Sequence, residues 1–467
     1  MTINKNIILN VDSYKVGMDQ MYPPYTVGVY SYIESRGGVY DKTLFFGLQA
    51  YIKEYLTKPI TQADIDDAEE LFAMHGEPFN RENWQYILDE YNGYLPVVIK
   101  AVPEGTVLDT KNVLVTVENT DKKCYWLTTW LETSILRAVW YPTTVATQSW
   151  SIKQVIKDYL EKTGDPSLID FKLHDFGSRG VSSFESAGIG SAAHLINFKG
   201  TDTITGILFA REYYNEKMAG YSIPAAEHSV ITSWGRDNEA DAYRNMLTKF
   251  ARPGSIVAVV SDSYDIYNAC ENIWGDSLKE TIIESGATLV IRPDSGDPEE
   301  VCCKVVEILD KKFGHTVNAK GYKVLNNVRI IQGDGVCERT IRNILGHFAV
   351  LGYSADNISF GMGGQLLQKV DRDSQKFAMK CSSIGQEYWD QNEHAWKTKW
   401  IPVQKDPVTD SGKKSKAGRV TLYRDITGEY YSGVEDWQQP ALVEVFRDGK
   451  LVTEYSFGQI RQTSKSS

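Results

Sequence analysis

Cysteine is scarce in this chain, with six among 467 residues, at positions 124, 270, 302, 303, 337 and 381. They form no Cys-x-x-Cys pair and no Cys/His group with zinc spacing, so the sequence predicts reduced, structural thiols and not a disulfide framework or a zinc centre. Cys302 and Cys303 fall in a helical stretch, where neighbours point about 100° apart, an arrangement that suits no shared metal. Long apolar runs are missing as well. No segment approaches the roughly 20 residues that cross a bilayer, and the start, MTINKNIILNVDSYK, has a short apolar patch broken by Asn10 and Asp12, unlike a secretory signal. The expectation is a cytoplasmic protein. A surplus of basic charge is also lacking. The net charge of -11 argues against nucleic acid or an anionic membrane as the general partner, since both reward a basic surface. What is there is a composition of 42% hydrophobic and 24% charged residues, enough for a large buried core and two or three domains.

From about residue 170 short β-branched runs alternate with amphipathic stretches, the pattern of successive βα units. The candidate strands are FKL, LINF, YSI, SIVAVVS, ATLVI, VRIIQ, NISF and FAMKC. Between them, DPEEVCCKVVEILDKKFG reads as a helix starting at Pro298 after Asp297 and stopping at Lys311, Lys312 and Gly314. The fold class expected is α/β: an irregular (β/α) barrel at residues 166–385, with an open doubly wound sheet as the alternative. Residues 1–165 carry helical TQADIDDAEELFAMHG and SIKQVIKDYLEKTG and strand-like LPVVIKAVPEG and VLVTVENT. Together with 386–467 they are expected to form a second, flanking α+β domain.

Polar residues and glycines follow the strands. SIVAVVS runs into Asp262, ATLVI into Arg292-Pro293-Asp294-Ser295-Gly296, VRIIQ into Gly333-Asp334-Gly335, and NISF into Gly361-Met362-Gly363-Gly364. A barrel enzyme carries its site on that face, often with a phosphate pocket after the late strands, and glycines there let a ligand approach backbone amides. Arg179, Arg292 and Arg372 offer planar donor forks suited to phosphate. Asp262, Asp294 and Asp334 offer carboxylates for sugar hydroxyls or magnesium, or else caps for the next helices. The implied ligand is a sugar phosphate with a metal. Asp175-Phe176-Gly177 in HDFGSRGVSS matches the kinase magnesium tripeptide, but no glycine-rich loop, strand lysine or His-Arg-Asp loop precedes it, which excludes the kinase reading.

In this order, NVDSYKVGMDQMYPP, KLHDFGSRGVSS, NFKGTDT, PAAEHS, VVSDSYDIYNACE, IRPDSGDP, IQGDGV, FGMGGQLLQK and KDPVTDSGKKSKAGR resemble the nicotinamide phosphoribosyltransferases over nearly the whole chain. The resemblance implies conversion of nicotinamide and 5-phosphoribosyl 1-pyrophosphate to nicotinamide mononucleotide and pyrophosphate in NAD synthesis or salvage, by a homodimer with active sites at the subunit interface. It implies that Phe176 and Tyr14, the latter from the other subunit, clamp the pyridine ring, and that Asp202 selects amide over acid. Arg179 and Arg292 would contact the ring amide and the phosphate end. Asp262, Asp294, Asp334 and Gly333 would surround the ribose and magnesium pyrophosphate, and Gly363 and Gly364 would take the 5-phosphate. Arg36, Arg372, Lys380 and Lys405 would reach phosphates across the dimer, while Lys413, Lys414 and Lys416 also suit an ordinary solvated surface. His228 matches a residue that the family phosphorylates with ATP to enhance turnover. Glu227 beside it would orient the ring only if the backbone turns there. The implied cofactors are Mg2+ and ATP as an activating co-substrate.

Two residues depart from the family pattern: Ser178 stands where vertebrate members carry tyrosine, and Gln365 replaces a third glycine after Gly364. A nicotinate phosphoribosyltransferase on the same fold, and a sugar-phosphate-binding barrel without catalysis, stay open as alternatives.

Overall fold

The computed structural model describes residues 5–434 and 439–466. The chain divides into two compact units, Gln148–Glu212 with Glu216–Val370, and Met1–Thr147 with Tyr213–Asn215 and Asp371–Ser467.

The first unit is built on six parallel strands: β1 (Leu173–Asp175), β2 (Gly200–Thr201), β3 (Ile256–Val260), β4 (Thr288–Arg292), β5 (Val328–Gln332) and β6 (Ile358–Met362). Their order is β2-β1-β6-β5-β4-β3. The sheet curls, and the segment 221–226 reaches both of its edges. Tyr221 bridges to Gly200 on β2, and Ala225 bridges to Ala258 on β3. Pro224 explains why this segment makes single bridges and no regular strand, because proline has no N–H to give a ladder. The result is the irregular (β/α) barrel expected from the sequence. Strand β3 has the two apolar faces that a parallel sheet covered by helices requires, and every residue in it but the first is buried.

Helices α1 (Phe184–Leu195), α2 (Glu239–Phe250), α3 (Pro298–Phe313) and α4 (Glu338–Val350) cover this sheet. Local chemistry fixes α3 at both ends. The Asp297 carboxylate accepts from the N–H groups of Glu299 and Glu300, each at 3.0 Å. Gly314, at φ 69°, ends it in a conformation that costs other residues more. Along its inner face Val301, Cys302, Val305, Val306 and Leu309 are buried.

The second unit is α+β. Seven strands form one antiparallel sheet in the order Ala395–Pro402, Phe377–Asp390, Thr26–Ser35, Val113–Asn119, Val97–Ala101, Val443–Arg447, Lys450–Leu451. Helix Gln62–His75 starts in a capping box between Thr61 and Asp64 and ends at left-handed Gly76. Behind the sheet Trp84, Trp126 and Trp130 pack edge to face with centroids 4.9 to 5.6 Å apart.

Three strand expectations change, and YSI is the first: of residues 221–223 only Tyr221 makes a bridge, to Gly200, and no strand forms. LINF is the buried end of α1 and the turn after it; a short apolar run reads the same in a buried helix and a buried strand. FAMKC belongs to the long strand Phe377–Asp390 of the antiparallel sheet, not to the barrel. The barrel strand in its place is Gly200–Thr201, two residues too few to leave a periodic signal.

Candidate active site

Asp175 is fully buried, and both of its oxygens are committed. Oδ1 accepts from the N–H of Gly177 at 2.7 Å and Oδ2 from the hydroxyl of Thr201 at 3.0 Å. It therefore turns the chain after β1. The turn presents Phe176, whose N–H donates to the carbonyl of Met362 on β6 at 3.0 Å. Its ring lies in space left by Gly361, where an added Cβ would fall 1.8 Å from the ring, and beside Gly333, where the same atom would lie 3.2 Å away. The Arg292 guanidinium sits over the ring at 5.4 Å. Arg179 stands exposed on the next turn.

Asp202 follows β2, with its N–H bonded to the Asp175 carbonyl at 3.0 Å and its side chain 48% exposed. His174 Nε2 lies 2.9 Å from Oδ1, and Ser222 donates its hydroxyl to the same oxygen at 2.5 Å. Partial burial works to raise the carboxyl's pKa, but the hydrogen bond and charge of His174, with Ser222 and Arg292, outweigh it and leave Asp202 below the usual carboxylate range. His174 and Ser222 were absent from the sequence reading. Strand alternation could have found His174, two residues before Phe176 on the same face; Ser222 leaves no comparable signal.

At the ends of β3 and β4 lies a charged array. His228, 44% exposed, places Nε2 at 2.8 Å from Asp262 Oδ1 and Nδ1 at 3.9 Å from Asp294 Oδ2. The buried Asp262 also accepts on Oδ2 from the N–H of Asp294 at 3.0 Å and the hydroxyl of Ser295 at 2.5 Å. Arg292 donates to Asp294 Oδ1 at 2.7 Å, and its Nε is buried without a hydrogen-bond partner. Since a carboxylate only accepts, Nε2 of the neutral imidazole carries the proton and Nδ1 keeps a lone pair. The carboxylate that orients His228 is Asp262; Glu227 instead accepts from the hydroxyl of Ser229.

These strand-end aspartates cap no helix. The cap positions belong to Asp265, Asp297 and Cys337, each a few residues further on. Asp262 and Asp294 thereby take part in the array, and Asp334 stays exposed beside Gly333. After β6, Gly363 and Gly364 run against the first turn; a Cβ at Gly180 would lie 3.1 Å from the amide nitrogen of Gly364. Gln365 has its carbonyl bonded to the side-chain amide of Gln148 at 2.9 Å, while its own Oε1 is buried without a partner.

The remaining candidates belong to the antiparallel unit. Tyr14 is 59% exposed. Lys380, opposite Tyr32 in the sheet, is half-buried. Burial chiefly depresses its pKa; Glu132 opposes this, and Arg36, Lys405 and Lys15 add to it by repulsion. Arg36 lies 3.5 Å from Glu34 through Nε, and its Nε and one terminal nitrogen lack hydrogen-bond partners. Arg36, Lys380, Lys405 and Lys15 are thus a cationic cluster moderated by two carboxylates. Arg372 pairs on the surface with Asp373 at 3.1 Å. Of the loop lysines, Lys413 and Lys414 pair with nearby Asp410 and Asp406, and Lys416 pairs with Glu34.

Residues 171–450 match the family described as Nicotinate phosphoribosyltransferase (NAPRTase) family, and residues 6–99 match Nicotinamide phosphoribosyltransferase, N-terminal domain. A nicotinamide phosphoribosyltransferase from Xanthomonas campestris pv. campestris is 56% identical over 98% of this chain and 97% of its own length. One from Acinetobacter baylyi is 31% identical over 99% and 97%. Among solved structures, nicotinate-nucleotide pyrophosphorylase from Pyrococcus furiosus superposes with a TM-score of 0.63 at 16% identity, covering 100% of this chain and 96% of that one. Human nicotinic acid phosphoribosyltransferase does so at 0.54 and 15%, covering 98% and 93%. At such identities these two likenesses speak for the fold alone.

Proposed function

The chain belongs to the nicotinamide phosphoribosyltransferases, within the wider nicotinate phosphoribosyltransferase family, and on that premise we propose that its barrel face joins nicotinamide to 5-phosphoribosyl 1-pyrophosphate for NAD synthesis. The observation that carries this reading is the meeting, on one barrel face, of an aromatic platform at Phe176, an ionised acceptor at Asp202 and the His228–Asp262–Asp294–Arg292 array.

Nicotinamide's ring nitrogen is neutral and holds a lone pair, so the attack on the ribose anomeric carbon needs no general base. The N–C bond forms as the bond from that carbon to the pyrophosphate oxygen breaks. The bonding pair leaves with pyrophosphate, and the ring nitrogen becomes cationic. Phe176, with Tyr14 from a second copy of the chain, would hold the flat ring, and positioning of the two reactants supplies much of the acceleration. Asp202 would accept from the amide N–H and repel the carboxylate of nicotinate. Arg292 and Arg179 would take phosphate oxygens, with Gly363 and Gly364 at the 5-phosphate. Asp262, Asp294 and Asp334 face the sugar as its positive charge develops.

Asp262 and Asp294 carry the hard oxygen donors that magnesium takes. Among the described residues no group of three or more His, Cys, Asp or Glu is gathered to hold a metal, so these two would share the ion with the substrate's pyrophosphate. Bound there, magnesium neutralises the leaving group's charge.

ATP enters this reading through His228. With Nε2–H held by Asp262, Nδ1 would attack the γ-phosphorus; the N–P bond forms, the bond to ADP breaks, and ADP leaves with the electron pair. The shared site makes the working unit a homodimer. No helix among the described residues is long and apolar enough to cross a membrane, and a cytoplasmic location is part of the proposal.

Incubation with 5-phosphoribosyl 1-pyrophosphate, magnesium and either base tests the reading. Nicotinamide is expected to be consumed in preference, with pyrophosphate released. Preferential use of nicotinate would give the sister activity, and no pyrophosphate with any pyridine base, from folded dimer, would leave a binding protein without turnover.

A further inference from the structure

We propose that His174, with Ser222, is the positioning residue that makes Asp202 selective for an amide. The proposal rests on the reading of Asp202 given above. Both donors converge on one oxygen. His174 Nε2 lies 2.9 Å and the Ser222 hydroxyl 2.5 Å from Oδ1, and no hydrogen bond among the described residues reaches Oδ2. A carboxylate held this way cannot rotate without breaking two hydrogen bonds, one of them to an imidazole. It therefore presents Oδ2 in one orientation as the acceptor. The two donors also favour the ionised form, consistent with a pKa below the usual range.

The packing shows that the imidazole is built into this place. Its ring centroid lies 5.1 Å from that of Phe176 at 49°, between the aromatic platform and the selecting carboxylate. Gly200 makes the room: a Cβ there would fall 2.7 Å from His174 Nδ1. The carboxylate fixes the tautomer, with the proton on Nε2. Without this pair of donors Asp202 could swing away or take up a proton. A protonated Asp202 no longer repels a carboxylate and can donate to it, so the penalty against nicotinate would fall while the hold on nicotinamide weakened.

The test is the ratio of kcat/KM for nicotinamide to that for nicotinate in the full-length protein. In H174L the ratio is expected to fall about tenfold, the cost of one charge-assisted hydrogen bond, with the loss in the KM for nicotinamide more than in kcat. H174Q, whose amide nitrogen stands in for Nε2, is expected to recover most of it. The double variant H174L/D202S is expected to show no lower ratio than D202S, because His174 acts through Asp202. S222A keeps the imidazole and removes the second donor; a fall of a few-fold is expected, and it reads the same quantity if H174L does not fold. An equal loss with both bases in H174L, no rescue by H174Q, or additive effects with D202S would overturn the proposal while leaving Asp202 in its role. An unchanged ratio in D202S would overturn the Asp202 reading, and this proposal with it.

Discussion

A Cβ at position 361 would fall 1.8 Å from Cε2 of Phe176, so the ring fills the volume that any side chain on that residue of β6 would need. Glycine here is a condition for the aromatic platform. In Gly361→Ala either the ring leaves its place or the strand shifts, and overpacking of this kind costs about 1–3 kcal/mol. The expected outcome is a rise of about tenfold or more in the KM for nicotinamide with a smaller change in that for 5-phosphoribosyl 1-pyrophosphate. An unchanged KM for the base would show that Phe176 does not hold it.

His228 and Asp262, joined at 2.8 Å, form the pair through which the proposed ATP coupling would act. Labelled ATP is expected to give an acid-labile phosphoprotein whose label disappears in His228→Ala and falls at least about tenfold in Asp262→Asn, because the amide can present its N–H to Nε2 and force the other tautomer. Label persisting in His228→Ala would move the phosphorylation elsewhere. Asp262 also holds the Asp294–Ser295 turn, so Asp262→Asn should slow turnover without ATP as well.

Most of this face was legible in the sequence because polar residues directly after β-branched runs must gather at one end of a parallel sheet. Asp262, Arg292, Asp294, Gly333 and Gly361 were placed that way. What alternation could not supply was the partner of each group. Glu227 is adjacent to His228 in sequence, yet the carboxylate on its imidazole is Asp262, 34 residues on and brought there by β3. Ser222 reaches Asp202 through an irregular segment without period. LINF misled because burial erases the alternation that separates strand from helix.

Glu104 gives the antiparallel unit a pH dependence. The side chain is buried, with one oxygen accepting from the N–H of Gln49 at 2.8 Å and the other from the Tyr214 hydroxyl at 2.9 Å. Burial outweighs these bonds and lifts its pKa from an ordinary 4.5 to about 7. Between those values the folded chain keeps a proton that the unfolded chain releases. This stabilisation is therefore complete below 4.5 and lost as pH rises through 7. Between pH 5 and 8 the wild-type protein should lose on the order of 3 kcal/mol more stability than Glu104→Gln, read from denaturant unfolding of both. Parallel curves for the two proteins would show that Glu104 ionises freely.

Lys380 and Lys414 make opposite claims on the phosphates. Lys414 is half-exposed and paired with Asp406 at 2.9 Å, a surface ion pair worth about 0–1 kcal/mol, and Lys414→Ala should alter the KM for 5-phosphoribosyl 1-pyrophosphate by less than about twofold. Lys380 is half-buried beside Arg36, Lys405 and Lys15, and burial with their repulsion holds its pKa below that of a free lysine. An anion entering the cluster would relieve that repulsion and favour the charged form of Lys380. Lys380→Ala should then raise the same KM about tenfold or more, the worth of a charge-assisted hydrogen bond, and leave the KM for nicotinamide nearly unchanged. In the wild type that KM should climb at alkaline pH as Lys380 gives up its proton, and the climb should shrink in Lys380→Ala. Equal, small effects from both lysines would place the cluster outside the phosphate path and return its residues to an ordinary solvated surface.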